Sequence, residues 1–198
     1  MTKFSLADAW ASLPIPCLFI EQHFAVTRKL HRPWGRNPWI RMSASPWATV
    51  LVISISIQAE RHVVHFDNRC GFGTPILIKG GQVLSTGGDY VSNGPLEAAI
   101  AYLQAGACGF NGENCSTIET TLKNPTRPGC GSSTDVTLIP PHKFSVTTGF
   151  GYCNGCDGVG NNCASAGYFP NDAFCTPTDY QSQRQCQAND VNLAITFC

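Results

Sequence analysis

Glu119 and Asp135 are the two side chains whose types and spacing suggest a reaction. They sit in Ile118-Glu119-Thr120-Thr121-Leu122 and Thr134-Asp135-Val136-Thr137-Leu138-Ile139. In both runs apolar or β-branched residues alternate with polar ones, the period of a half-buried strand. Between them lies Asn124-Pro125-Thr126-Arg127-Pro128-Gly129-Cys130, a stretch of chain breakers. With pairing centred on Arg127, Glu119 falls directly opposite Asp135. Cross-strand partners have Cβ atoms about 5 Å apart, so the two carboxylates repel and one holds its proton to higher pH. A protonated acid beside an ionised carboxylate is the arrangement glycoside hydrolysis uses. The plainer reading is a solvated acidic pair among threonines.

Cysteine offers the next chemistry. Of 11 Cys, Cys17 alone precedes residue 60. The other ten (Cys70, Cys108, Cys115, Cys130, Cys153, Cys156, Cys163, Cys175, Cys186 and Cys198) form an even set in a loop-rich chain. Such a set predicts a disulfide framework made in an oxidising compartment. Zinc is the rival reading, because Cys153-Asn154-Gly155-Cys156 is a C-x-x-C, but no second C-x-x-C or spaced histidine pair answers it. His62 and His65 bring a copper site to mind, yet strand positions three apart point to opposite faces. No metal and no cofactor is expected. No Ser-His-Asp order, P-loop or dinucleotide fingerprint is present.

Charge and hydropathy divide the chain. Its 13 basic and 13 acidic residues balance, but residues 1–59 carry a net +4 and residues 60–198 a net −4. The acidic part offers no basic stripe, which argues against nucleic acid as a partner. Trp47 to Ile57 is an apolar run of signal-peptide length, too short to span a membrane. It follows Arg36, Arg41 and Met42, and Gln58-Ala59 supplies a small residue for cleavage. The expectation is a leader over 42–59, a mature domain over 60–198, and a disordered or non-native extension over 1–41.

The elements that would position these residues follow in order. Val63 to Cys70 and Val191 to Cys198 are strand-like runs that each end on a cysteine. They are read as the first and last strands of one sheet, clasped by Cys70–Cys198. Ile76-Leu77-Ile78 and Val83-Leu84-Ser85 flank the hairpin signal Lys79-Gly80-Gly81-Gln82, and Tyr90-Val91-Ser92 follows a glycine turn. Pro95 to Gln104 carries helix signals, with Pro95 first, Glu97 in the first turn and Gly106 as a stop. Strand is the other reading. The loop 108–115 is closed locally by Cys108–Cys115 and contains the sequon Asn114-Cys115-Ser116, which makes Asn114 a candidate glycosylation site. A second hairpin turning at Pro140-Pro141 and returning through Phe144 to Thr148 would set Cys130 across from Cys153. From Gly155 to Asn189 the strand pattern dissolves into an irregular, cysteine-bearing lobe.

Taken together, Val64-His65-Phe66-Asp67-Asn68-Arg69-Cys70, Thr117 to Leu122, Ser133 to Leu138, Lys143 to Val146 and Leu193 to Cys198 resemble the thaumatin-like (osmotin, pathogenesis-related 5) proteins. The resemblance covers roughly residues 63–198. It is nearest to the small type with ten cysteines, including short secreted basidiomycete glycoproteins. It implies an all-β, disulfide-rich β-sandwich with a short irregular cysteine-rich lobe, secreted and monomeric. It also implies a strand over Ala99 to Gln104, the pairs Cys70–Cys198, Cys108–Cys115 and Cys156–Cys186, and Cys163–Cys175 and Cys130–Cys153 from the remainder. Glu119 and Asp135 match two acids of the family's cleft, where some members bind or weakly hydrolyse β-1,3-glucan. The implied partner is a cell-wall polysaccharide, with Tyr90, Tyr102, Phe110 and Tyr152 as candidates for stacking on sugar rings. Pro140 stands where a further acid is usual, and no arginine occupies a matching cleft position. Binding without turnover is therefore expected ahead of a weak endo-β-1,3-glucanase, with a protein-interaction or effector module as the remaining reading.

Overall fold

The computed structural model describes residues 59–198. The expectations for 1–41 and for the leader at 42–59 therefore lie outside the described residues, Ala59 excepted. Within them, the two framing runs become strands β1 (His62–Asn68) and β11 (Asn192–Phe197). Their alternation dictates which side chains enter the core. Val64, Leu193, Ile195 and Phe197 are fully buried and Phe66 nearly so, while the residues between them stay partly exposed. The strands pair in parallel from Val64 opposite Leu193 to Asn68 opposite Phe197, and the Phe66 and Phe197 rings stack at 6.4 Å. Beyond their ends Cys70 and Cys198 are bonded, with Cα atoms 5.1 Å apart.

Nine further strands complete the fold: β2 (Thr74–Lys79), β3 (Gln82–Ser85), β4 (Tyr90–Ser92), β5 (Leu96–Gln104), β6 (Thr117–Leu122), β7 (Ser132–Thr137), β8 (Thr148–Cys153), β9 (Gly160–Cys163) and β10 (Arg184–Cys186). One sheet runs β4-β1-β11-β8-β9 and the other β10-β7-β6-β5-β2-β3. Leu77, Leu96, Ala99, Ala101, Leu103, Ile118, Leu122 and Val136 of the second sheet share one core with the apolar faces of β1, β8 and β11. The chain is an all-β, disulfide-bonded sandwich, and the segment between β8 and β10 forms a short irregular lobe. No helix among the described residues is long and apolar enough to cross a membrane.

The Lys79-Gly80-Gly81-Gln82 turn joins β2 to β3 with positive φ at both glycines, as a tight hairpin of this twist requires. Residues 96–104 are a strand, not a helix, bonded to β2 on one side and β6 on the other. A register shift between Leu96 and Ala99, with Ala98 at φ 53°, marks a bulge near its start. The helix signals at Pro95 and Glu97 are overridden because Ala99, Ala101 and Leu103 together cover the core.

The expected second hairpin is corrected. β7 and β8 belong to different sheets, and no strand forms between Leu138 and Thr147. Neither Pro140 nor Pro141 has an N–H to give a ladder, and the chain crosses there from one sheet to the other. Cys130 is accordingly not bonded to Cys153, whose thiol is free. Cys108–Cys115 and Cys156–Cys186 are formed as expected, the latter tying the turn after β8 to the end of β10. Cys163 and Cys175 also carry free thiols in this structure. The Cys163 thiol is turned to the Ser165 carbonyl rather than to Cys175.

Candidate functional site

β6 and β7 form the expected hairpin, and Glu119 stands directly opposite Asp135. Period-2 alternation sends Ile118, Thr120 and Leu122 of β6 inward with Thr134 and Val136 of β7. Glu119 and Asp135 therefore occupy the outer face of this sheet, under the lobe. The lobe is held there by backbone bonds: Phe174 N–H donates to the Val136 carbonyl and Leu138 N–H to the Phe174 carbonyl, each at 2.8 Å. A single turn of 3-10 helix, Tyr180–Ser182, then leads to Gln183, whose side chain favours the charged form of Asp135.

The electrostatics follow from this roof. Asp135 is 3% exposed, and its Oδ1 is buried without a hydrogen-bond partner. Burial and the neighbouring Glu119 charge push its carboxyl well above the ordinary aspartate range, and the Gln183 contact only partly offsets them. Glu119 keeps some exposure, and burial raises its carboxyl to about 7. Glu119 is thus about half-ionised at neutral pH, and Asp135 holds its proton to higher pH than an ordinary aspartate does. A retaining glycosidase needs an accessible ionised nucleophile beside its acid. Asp135 is sealed, so the site is better suited to hydrogen bonding between hydroxyl groups and the partly exposed Glu119 than to cleavage.

Behind the pair, the Tyr152 hydroxyl lies 3.0 Å from Thr134 Oγ1 and 3.0 Å from the Arg184 carbonyl, joining the two sheets through the core. Thr134 Oγ1 is in turn 2.7 Å from Thr120 Oγ1. Tyr152→Phe leaves the Arg184 carbonyl without this donor. It is expected to cost about 1–2 kcal/mol in a urea titration.

The aromatic candidates separate. Tyr102 and Tyr152 are buried, so neither offers a face to a sugar. The Tyr102 hydroxyl donates to the Phe110 carbonyl. Tyr90 is half-buried against the core. Phe110 alone of the four is well exposed, at 53%. Four exposed rings were not singled out from sequence: Phe72 in the turn after β1, and Tyr168, Phe169 and Tyr180 in the lobe. A signal was available, since aromatic residues in a segment without strand periodicity have no core face to fill.

Asn114 is exposed, whereas Ser116 of its sequon is buried, donates to the Val146 carbonyl and accepts from Ser145 N–H. His62 is fully buried, with Nδ1 2.6 Å from the Val191 carbonyl and Nε2 2.9 Å from Glu60 Oε1. His65 is exposed and pairs with Asp89. Both ring nitrogens of His62 are therefore engaged away from His65. No grouping of three or more metal-ligating side chains occurs among the described residues.

No family profile matches the sequence, and no curated protein does. Among solved structures, the chain is similar to the thaumatin-like xylanase inhibitor TLXI, at 14% identity and a TM-score of 0.40, over 69% of this chain and 98% of that one. It is also similar to the protein elicitor MoHrip2 from Magnaporthe oryzae, at 16% identity and a TM-score of 0.42, over 71% of this chain and 99% of that one.

Proposed function

We propose that the chain is a small, secreted, thaumatin-like protein that binds cell-wall β-1,3-glucan, in defence or wall remodelling, without appreciable hydrolysis. The observation that carries this reading is the opposed Glu119–Asp135 pair beneath the lobe, with Asp135 sealed and Glu119 partly open. The partly exposed Glu119 carboxyl, about half-ionised at neutral pH, can donate in one form and accept in the other, which suits the hydroxyls of a neutral glycan. The apolar run over 47–57, read as a leader, and the disulfides support export, a monomer is expected, and Asn114 is exposed enough to carry a glycan.

Sedimentation with insoluble β-1,3-glucan, alongside assay of released reducing sugar, tests the proposal. Wild type is expected to pellet with the glucan and release no sugar, and Glu119→Gln to bind several-fold more weakly. A protein that stays in the supernatant would overturn the reading in favour of a protein-interaction module. The alternative of a weak endo-β-1,3-glucanase rests on Glu119 titrating near 7, within the range of a general acid. Sugar release by wild type that is abolished in Glu119→Gln would establish it.

A further inference from the structure

A concave site lies between the lobe and the crossing that joins the two sheets. It is an open cleft of about 340 Å³, within the size range of small-ligand sites. One wall is Leu138, Lys143 and Phe144 from the crossing between the sheets, and the other is Ala166, Tyr168 and Cys175 from the lobe. The walls are built onto a rigid frame, because Leu138 N–H is bonded to the Phe174 carbonyl beside Cys175. Leu138 and Phe144 also pack against the core.

Two side chains give the cleft its chemistry. Tyr168 is 62% exposed, yet its hydroxyl is fixed by a 3.0 Å bond to Asp179 Oδ1. Asp179 is itself buried, with Oδ2 accepting from the Cys175 and Thr176 N–H groups. Its charge is thus satisfied within its own loop, and the ring it anchors is a pre-positioned apolar face. Lys143 is the one charged residue lining the cleft. Its ammonium is exposed and has no carboxylate within ion-pair distance among the described residues. By contrast Arg69 and Lys123 are each paired with an acid. An aromatic face beside an uncommitted cation, with no acid on the lining, is complementary to a ring that is apolar on one side and negatively charged at its edge.

We infer that this cleft binds the uronate unit of an acidic polysaccharide, with Tyr168 and Phe144 against the sugar ring and Lys143 on its carboxylate. The inference rests on the reading of the protein as a wall-carbohydrate binder, and it adds an acidic glycan to the neutral one at a separate place on the lobe. Calorimetric titration with an oligogalacturonate, with the same oligomer after carboxyl reduction, and with a β-1,3-gluco-oligosaccharide tests it. The uronate is expected to bind about tenfold tighter than its reduced form, and increasing ionic strength should narrow that gap. Lys143→Gln should abolish the preference, and Tyr168→Ala should weaken both oligomers. Both changes should leave the β-1,3-glucan titration unaltered, which also reports that the variants are folded. A uronate-to-neutral ratio unchanged by Lys143→Gln, or glucan binding without uronate binding, would overturn the inference alone. Absence of binding to all three sugars would overturn it together with the function it rests on.

Discussion

Replacing Cys70 and Cys198 together by alanine is expected to lower stability by about 3–5 kcal/mol, the largest loss among the three cross-links described above. The bond closes a separation of 128 residues, and the chain-entropy argument gives about 5 kcal/mol for a loop of that size. The parallel ladder between β1 and β11 remains in the variant and retains some of the order, which sets the lower end. The Cys108–Cys115 bond spans only 7 residues, and the same argument gives it about 2 kcal/mol. Urea titration of both alanine pairs under non-reducing conditions should therefore rank them clearly. For a unit of this length the first loss corresponds to roughly 10–15 °C in Tm. Equal losses from the two pairs would mean that local packing, not loop closure, dominates.

The second large effect is a loss of stability as pH rises. Glu119 titrates near 7 in the folded protein and near the ordinary glutamate value when unfolded, because burial penalises its charged form. Between those values the folded state holds a proton that the unfolded state has released, so each step upward in pH favours unfolding. The contribution is absent at about pH 4 and complete above about pH 7, and at 1.36 kcal/mol per unit it reaches about 3 kcal/mol. Asp135 acts in the same direction, through burial and the charge of Glu119. Glu119→Gln should match wild type at pH 4 and exceed it by about 2–3 kcal/mol at pH 8. Asp135→Asn should also flatten the profile, and the double variant should fall short of the sum because the two carboxyls share one electrostatic problem. Urea midpoints for wild type and the variants at three pH values decide the matter. A Glu119→Gln profile parallel to wild type would refute the shifted titration.

How much of this could be read from sequence depends on whether the signal was local. The β6–β7 register was legible because a breaker-rich loop centred on Arg127 leaves one pairing that keeps Ile118, Leu122 and Val136 on a common apolar face. The β1–β11 partnership was legible because both runs alternate and both end in cysteine. The passage from β7 to β8 was not. Pro140-Pro141 looks the same whether the next strand returns beside the last or joins the facing sheet, and that choice is made by long-range packing. With it went the register that placed Cys130 against Cys153. The aromatic candidates misled for a related reason. Tyr102 and Tyr152 carry polar hydroxyls, and only the folded chain brings the Phe110 and Arg184 carbonyls within reach of them. Tyr168 and Lys143 are 25 positions apart, on the crossing between the sheets and in the patternless lobe, so their common cleft had no sequence signature.

The position of β11 has a consequence for synthesis. The strand nearest the C-terminus of the sheet lies between β1, the first to emerge, and β8. The opposite sheet can add β2, β3, β5, β6 and β7 nearly in the order they leave the ribosome, since each pairs with a neighbour already made. The β4–β1 and β8–β9 pairs must meanwhile wait as two half-sheets, with apolar faces and open edges uncovered, until residues 192–197 arrive to bridge them. Closing so long a loop is slow, and the waiting half-sheets are the species most exposed to aggregation.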